Sequence, residues 1–454
     1  MALFLPPALM FAAFGDVALA ASLLPQIVVL ALVISWTRAP VFRDGLRHIE
    51  ALTAFALLFL IAGAGVVPPF VVLGFSPLDA VFEAASGITS TGLTVARDAE
   101  GWPASAHLFR GWIQWCGGFA IAFAGIAIFT GSRGASLAMA GSNFSERDRL
   151  SSVRAQARHL LVIYALLSLL AVAVCLVLIP GPVDAISIAL AAVSTGGFAP
   201  RGDSLASYSS LAQGMVILIC VLAAVSFLFY MLAWRDGVRT ALSRSHVVAT
   251  CGLLVGGCAL YTAAFAISVT TDPAELYLHA LNFLSAMTTA GFSTSDMPMA
   301  PLLLLILVVG MVIGADTGST GGGIKISRVL LAHAMVRLSF LRTRVPASAR
   351  THLKDADGLV VTDRVIVVAT IFGLYFVSLL VGWAVFLASG ADPLGSLFEV
   401  ASALSTVGLS SGVTAPDLAP HLKVTLIAAM YLGRLEFVAL IVVLLPSTWN
   451  VRKG

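Results

Sequence analysis

One short phrase recurs four times in this chain, and each copy forces the same local geometry. It reads S-G-I-T-S-T-G-L-T at Ser86–Thr94 and A-A-V-S-T-G-G-F-A at Ala191–Ala199. It returns as S-A-M-T-T-A-G-F-S at Ser285–Ser293 and S-A-L-S-T-V-G-L-S at Ser402–Ser410. Each copy sets hydroxyl residues three and two positions before a glycine, with Leu or Phe directly after it. The glycines are Gly92, Gly197, Gly291 and Gly408. A single T-x-G-F would carry no information. Four equivalent loops can surround one axis, and a ring of four backbone segments can replace the water around a cation.

The surroundings of these phrases are apolar. Apolar residues make up 59% of the chain and charged residues 11%, and the mean hydropathy is +0.99. Those values belong to an integral membrane protein. A net charge of +3 with scattered basic residues argues against a nucleic-acid partner. Cys116, Cys175, Cys220, Cys251 and Cys258 lie in apolar stretches without a C-x-x-C pair, so they read as buried packing residues. The first residues are apolar at once, with neither a basic leader region nor an A-x-A site, which predicts a retained membrane segment.

Long apolar stretches are centred near residues 10, 28, 62, 120, 168, 222, 258, 308, 376 and 434. The first is short and interrupted by Pro6, Pro7 and Asp16. Four briefer segments, Leu78–Ile88, Val183–Val193, Pro273–Met287 and Pro393–Leu404, start beside Pro or Asp and end at the repeated phrase. Segments of about 10–14 residues are too short to cross and read as re-entrant half-helices. Irregular backbone at membrane depth is tolerated only where it lines a cavity. The unit is therefore span, half-helix, loop, span.

Basic residues set the orientation. Arg38, Arg43 and Arg47 share one loop; Arg133, Arg147, Arg149, Arg154 and Arg158 share the next on that side. Arg235, Arg239 and Arg244, the stretch from Lys325 to Lys354, and Arg452 and Lys453 follow. The opposite loops hold only Arg97, Arg110, Arg201 and Lys423. The basic side is cytoplasmic, and the four loops enter from outside. Nine positions before each glycine stand Glu83, Ile188, Asn282 and Glu399. For the two glutamates, hydrogen bonds bracing the loop from behind are favoured over direct ion contact. Asp98, Asp203 and Asp296 fit the outer mouth, where they could attract cations, or are plain solvated loop charges.

These residues resemble the Trk/Ktr/HKT superfamily of potassium transporters, and in particular its Trk-type potassium-translocating membrane subunits. The resemblance spans nearly the whole chain. It rests on the four loops, on R-G-W-I-Q-W-C-G-G at Arg110–Gly118, on G-S-T-G-G-G-I-K at Gly318–Lys325 and on G-R-L-E at Gly433–Glu436. It implies an all-α polytopic fold with four repeats around a pseudo-fourfold pore, plus two N-terminal spans as in the Trk branch. The divisions are a two-span extension at 1–40 and pore repeats at 41–140, 150–245, 246–345 and 355–450. It implies K⁺ ligands from Thr89, Ser90 and Gly92, from Ser194, Thr195 and Gly197, from Thr288, Thr289 and Gly291, and from Ser405, Thr406 and Gly408. Glycine at position 92, where some plant members carry serine and admit Na⁺, argues for K⁺. The family further implies a bacterial inner-membrane location, a homodimer, and peripheral NAD- or ATP-binding regulatory subunits. K⁺ is cargo, and no cofactor is expected on this chain.

The glycine-rich run Ile313–Ile324 invites a phosphate-loop reading, but Ile324 stands where that motif needs Lys, and no strand precedes it. Several glycines within an apolar span instead predict a broken helix. In the family such a segment lies under the filter and acts as a gate, here Asp316, Thr317, Gly318, Ser319, Thr320, Gly321, Gly322 and Gly323. Asp316 departs from the small uncharged residue expected there and could contact a cation or pair with an arginine. Arg434 stands near the middle of the last span, where an arginine costs about 2.5–3.5 kcal/mol even on the lenient insertion scale. It must face the interior, as a gate element beside the loop or as an ion-pair partner of Glu436 or Asp316. An H⁺- or Na⁺-coupled carrier would also suit broken helices, although carriers usually show inverted repeats. A membrane enzyme is disfavoured, since the chain has no H-E-x-x-H, no G-x-S-x-G and no paired His or Cys cluster.

Overall fold

The computed structural model describes residues 1–36, 48–126, 146–297, 300–344, 354–355, 358–359 and 362–449. Arg38, Arg43, Arg47, Arg133, Arg452 and Lys453, all expected in basic loops, lie outside the described residues. Among the described residues the regular secondary structure is helical apart from one antiparallel pair of two-residue strands, Lys354–Asp355 with Gly358–Leu359. Polar backbone in apolar surroundings cannot bond to water and must satisfy its amides within each segment, which selects helices.

The N-terminal part forms α1 (Leu5–Ala13), α2 (Val17–Ser22) and α3 (Leu24–Trp36). The first of the two expected N-terminal spans is thus a nine-residue helix, about 14 Å long at helical rise and too short to cross. Gly15 and Asp16 end it, and it packs through Phe4, Ala8 and Phe11 onto the following repeat. Val17–Trp36 supplies the one full-length N-terminal span among the described residues.

Four units follow. The first has α4 (His48–Gly65), α5 (Val67–Val72), α6 (Pro77–Ile88) and α7 (Ala104–Ala124). The second has α8 (Glu146–Leu178), α9 (Pro182–Val193), α10 (Ser210–Ala224), α11 (Phe227–Asp236) and α12 (Val238–Arg244). The third has α13 (Val247–Ser268), α14 (Pro273–Met287), α15 (Pro301–Ile313) and α16 (Ile326–Arg342). The fourth has α17 (Thr362–Ala388), α18 (Pro393–Leu404), α19 (Pro420–Arg434), α20 (Val438–Leu444) and α21 (Pro446–Trp449). Side chains such as Val255 (70% exposed) and Ile267 (87% exposed) project outward from α13, a costly surface in water and an ordinary one in lipid.

Among the described residues five helices are long and apolar enough to cross a membrane, or seven if each bent pair is one span. The remaining expected crossings differ for local reasons. The stretch near residue 10 is α1, the one near 120 runs into residues outside the described set, and the one near 308 is broken after Ile313. Breaks also occur where none was expected: α10 and α11 meet at 76° and α19 and α20 at 111°.

The short helices α6, α9, α14 and α18 match the expected half-helices to within a residue. Each begins on proline, whose fixed φ and missing N–H suit the first helical position. Ser76, Asp272 and Asp392 cap three of them by accepting a backbone N–H. The order of packing is cyclic. Helix α7 packs on α9, α10 on α14, α15 on α18, and α19 returns to α6. Two residues assigned to outer loops are instead buried in helices. Arg110 lies in α7 paired with Glu83, and Lys423 lies in α19 paired with Asp79. Of the cysteines, Cys251 is exposed rather than buried.

Candidate functional site

All four half-helices end in the same way. The last cap residues Thr89, Ser194, Thr288 and Ser405 have φ between −76° and −85° and ψ near 0°. The next residues, Ser90, Thr195, Thr289 and Thr406, are left-handed, with φ of 50°, 49°, 55° and 51°. Their N–H groups donate to Gly87, Ala192, Ala286 and Ala403. One residue later, the N–H groups of Thr91, Gly196, Ala290 and Val407 donate to Ser86, Ala191, Ser285 and Ser402 at 2.8–2.9 Å. This paired pattern is a Schellman motif, which normally takes glycine at the left-handed position. A hydroxyl residue there costs about 1–3 kcal/mol of backbone strain. The same strain is repeated four times in a buried ring.

Each phrase glycine is left-handed as well, at φ 98°, 76°, 76° and 99° in chain order. A Cβ on Gly92 would lie 2.2 Å from the Gly196 oxygen, and one on Gly197 would lie 2.6 Å from the Ala290 oxygen. A Cβ on Gly291 would lie 2.0 Å from the Val407 oxygen, and one on Gly408 would lie 2.1 Å from the Thr91 oxygen. Every glycine therefore admits the carbonyl of the next loop, and the last loop returns to the first. Only glycine allows both the dihedral and the approach. The structure brings all twelve sequence-predicted loop residues to this ring.

Polar groups hold the loops from behind. Glu83 Oε1 accepts from Val95 N at 2.8 Å and from the Thr94 hydroxyl. Glu399 Oε1 accepts from Ser411 N and Ser410 Oγ, both at 2.7 Å. Asn282 Oδ1 accepts from Thr294 N at 2.8 Å. Glu83 and Glu399 are fully buried, each with one carboxylate oxygen engaged by the loop and the other by Arg110 or Thr414, an arrangement that fits bracing of the loop. In addition, Ser86 and Ser402 hydroxyls accept from Gly92 N and Gly408 N at 3.0 and 3.1 Å.

The glycine-rich segment between α15 and α16 lies against the base of the ring. Gly322 N donates to Thr289 Oγ1 at 2.8 Å. A Cβ on Gly322 would meet the Ser405 oxygen at 2.1 Å and the Thr406 hydroxyl at 2.3 Å. Gly314, Gly318, Gly323 and Lys325 take positive φ as the chain leaves and rejoins the helix. The segment also binds the other breaks. Asp316 N donates to the Ala224 oxygen at 3.2 Å, and Phe227 N donates to the Gly318 oxygen at 2.9 Å. Arg434 Nη1 donates to the Thr320 oxygen at 2.9 Å. Arg434 is 2% exposed, and its Nε and Nη2 have no hydrogen-bond partner among the described residues.

The alternative reading of Arg434 as an ion-pair partner of Glu436 or Asp316 does not hold, since both carboxylates are engaged elsewhere. Glu436 pairs with Lys325 at 2.8 Å and with Arg328. The Asp316 carboxylate accepts from Thr317 N at 2.8 Å rather than from an arginine. Sequence reasoning missed this Lys325–Arg328–Glu436 group, because it is assembled across more than a hundred residues and follows from left-handed Glu436 and Phe437. Nothing in the sequence marks the side-chain roles of Arg110 and Gln114 within the motif Arg110–Gly118.

A polytopic helical bundle that converges four strained loops on one ring is the architecture of a cation-transporting membrane protein. The chain belongs to the TrkH family, described as cation transport proteins, which matches residues 69–453. The family's description is of transport and names no catalytic activity. Among curated relatives, the Trk system potassium uptake protein TrkI of Halomonas elongata is 30% identical, over 98% of this chain and 91% of that protein. The Trk system potassium uptake protein TrkH of the same organism is 27% identical, over 90% and 87%. An uncharacterized cation transporter of Methanocaldococcus jannaschii is 28% identical, over 87% and 81%. The crystal structure of the potassium transporter TrkH from Vibrio parahaemolyticus shares the fold at a TM-score of 0.83, covering 99% of this chain and 97% of that one at 24% identity.

Proposed function

We propose that this protein takes up K⁺ across the bacterial inner membrane through a selectivity filter formed by its four loops. The observation that carries the reading is the closed cycle of glycine-to-carbonyl contacts, which gives four equivalent strands of backbone around one axis. Backbone carbonyls of Thr89, Ser90 and Gly92 and their counterparts in the other loops replace the water of the ion, and no cofactor takes part. Half-helices with their C-terminal ends toward the ring add negative potential for a cation. The loops enter from outside, as the basic residues of the opposite side suggest.

The segment from Asp316 to Gly323 acts as a gate against the inner side of this filter, and Arg434 holds it through the Thr320 carbonyl. The names of the two Halomonas elongata relatives place them in a Trk system. The present chain works as a homodimer with peripheral nucleotide-binding subunits, for which the basic stretch from Lys325 to Lys354 is the dock. Flux of K⁺ and Na⁺ into liposomes containing the purified protein tests the central claim. Preferential K⁺ entry down its own gradient is the expected result. Equal entry of both ions would overturn the filter reading, and entry that requires an imposed H⁺ or Na⁺ gradient would favour a coupled carrier.

A further inference from the structure

The second loop departs from the other three at two positions at once. In loops 1, 3 and 4 the side chain nine residues before the glycine accepts the N–H of the third residue after it. These pairs are Glu83 with Val95, Asn282 with Thr294 and Glu399 with Ser411. In loop 2 the acceptor position is Ile188 and the donor position is Pro200. Proline has no N–H, so acceptor and donor are both missing. Losing both partners leaves no orphaned group, yet it removes that tie and leaves the limb of the loop beyond its glycine to contacts from outside the repeat, among them Arg110 Nη1, which donates to the Ala199 oxygen at 3.4 Å.

Another residue fills that place from outside the repeat. Gln114 lies in α7, is fully buried, and reaches loop 2 with both ends of its amide. Its Nε2 donates to the Gly196 oxygen, and its Oε1 accepts from Phe198 N at 3.2 Å. Only this orientation of the amide satisfies a carbonyl and an N–H together. The two bonds flank Gly197. The backbone oxygen of Gln114 meanwhile accepts from the hydroxyl of left-handed Ser90 in loop 1, at 2.9 Å. One residue thus ties two adjacent loops. A Cβ on Gly196 would lie 2.5 Å from Gln114 Cδ, which explains the second glycine of S-T-G-G-F, a feature absent from the other loops.

We infer that Gln114 is a positioning residue for ion selection, replacing from the neighbouring repeat the tie that loop 2 lacks. The carbonyl it holds, Gly196, is the one against which Gly92 packs. Release of Gln114 therefore loosens the contact between loops 1 and 2 and lets the ring accept a different cation radius. The inference rests on the reading of the loops as a potassium filter.

The test uses full-length protein in liposomes, with K⁺ and Na⁺ influx and the amount of folded protein measured together. Gln114→Leu keeps the bulk and removes both bonds; the expected result is a K⁺/Na⁺ ratio lowered about tenfold, equivalent to about 1.4 kcal/mol. Rebuilding the tie of the third loop, by adding Ile188→Asn and Pro200→Ala to Gln114→Leu, is expected to recover most of the ratio. A role in folding alone would lower abundance and leave the ratio of the remaining protein at wild type, which overturns the inference. Should Gln114→Leu fail to fold, Gln114→Asn withdraws the same amide by one methylene; a lowered ratio supports the inference and an unchanged ratio overturns it. Lack of K⁺ preference in the wild-type protein would instead sink the filter reading itself.

Discussion

The four loops and the helix breaks against their base use the same material under opposite rules. Both take backbone out of helix inside the bundle. The loops do so identically, with one cap geometry, one left-handed hydroxyl residue and one left-handed glycine in each copy. The breaks share nothing. One is an extended turn at Val225 and Ser226, one a glycine-rich segment of about a dozen residues, and one a pair of strained non-glycine residues at Glu436 and Phe437. On the proposed reading the contrast follows from the two tasks: selecting an ion needs equal ligands from every side and favours strict repetition, whereas closing a path needs one element that moves against fixed neighbours and favours asymmetry.

The largest effect is expected where the equality of the loops is broken. Gly92→Ser puts a Cβ 2.2 Å from the Gly196 oxygen at a φ of 98°. Neither contact nor dihedral can be relieved without moving loop 2. The K⁺/Na⁺ ratio in uptake assays should fall by at least about tenfold, while Leu93→Ile, behind the same loop, leaves it near wild type. A folded Gly92→Ser protein with an unchanged ratio would dissolve the contrast between the two regions.

Next comes the glycine-rich segment proposed as the gate. Removing Thr317–Gly322 takes away the backbone that lies against Thr289 and Ser405, and K⁺ flux should rise about tenfold with the ion ratio retained. Replacing Gly322 by alanine is a poorer test, because its Cβ would strike the Ser405 oxygen and disturb loop 4 as well. A shifted ratio in the deletion, at constant flux, would assign this segment to the filter.

This division also separates what could be read in the sequence from what could not. The loops were legible because a repeated conformation demands repeated residues, so that four registered glycines give the ring and its half-helices. The helix break after Ile313 was legible because that segment is built from glycine. The break after Arg434 was not. Its left-handed residues, Glu436 and Phe437, carry no turn signal and include no glycine. They are a charged and an aromatic side chain, held by contacts with Lys325, Arg328 and Tyr375. The contact of Arg434 with a carbonyl of the glycine-rich segment was expected from the family resemblance, because a backbone carbonyl itself leaves no mark in a sequence; the alternative ion pairs with Glu436 and Asp316 do not form.

Arg434 offers an effect of similar size on the asymmetric side. Its bond to the Thr320 oxygen is a charged one, worth about 1.5–3 kcal/mol to the closed arrangement. Arg434→Ala should therefore raise K⁺ flux about tenfold. Glu436 keeps Lys325 and Arg328, so no carboxylate is orphaned and the variant should remain abundant. Arg434→Lys retains charge without the planar fork and should fall between the two. Abundant Arg434→Ala protein with wild-type or lower flux, measured by single-channel or tracer methods, would remove Arg434 from the gate.

The smallest expected effect lies where the two regions touch. Thr289 belongs to the ring, at φ 55°, yet its hydroxyl accepts from Gly322 N of the gating segment. Thr289→Val preserves the β-branched shape and its strain while deleting the acceptor. A neutral hydrogen bond contributes about 0.5–1.5 kcal/mol, so flux should rise only severalfold. Thr289→Ser keeps the acceptor and should stay close to wild type. The ion ratio should not move in either variant, because the loop's backbone keeps its capping bonds to Ala286 and Ser285. A changed ratio with unchanged flux in Thr289→Val would mean that the hydroxyl serves selection instead. The line between the uniform ring and the asymmetric gate would then run below Gly322, and the segment's outermost glycines would count as part of the filter.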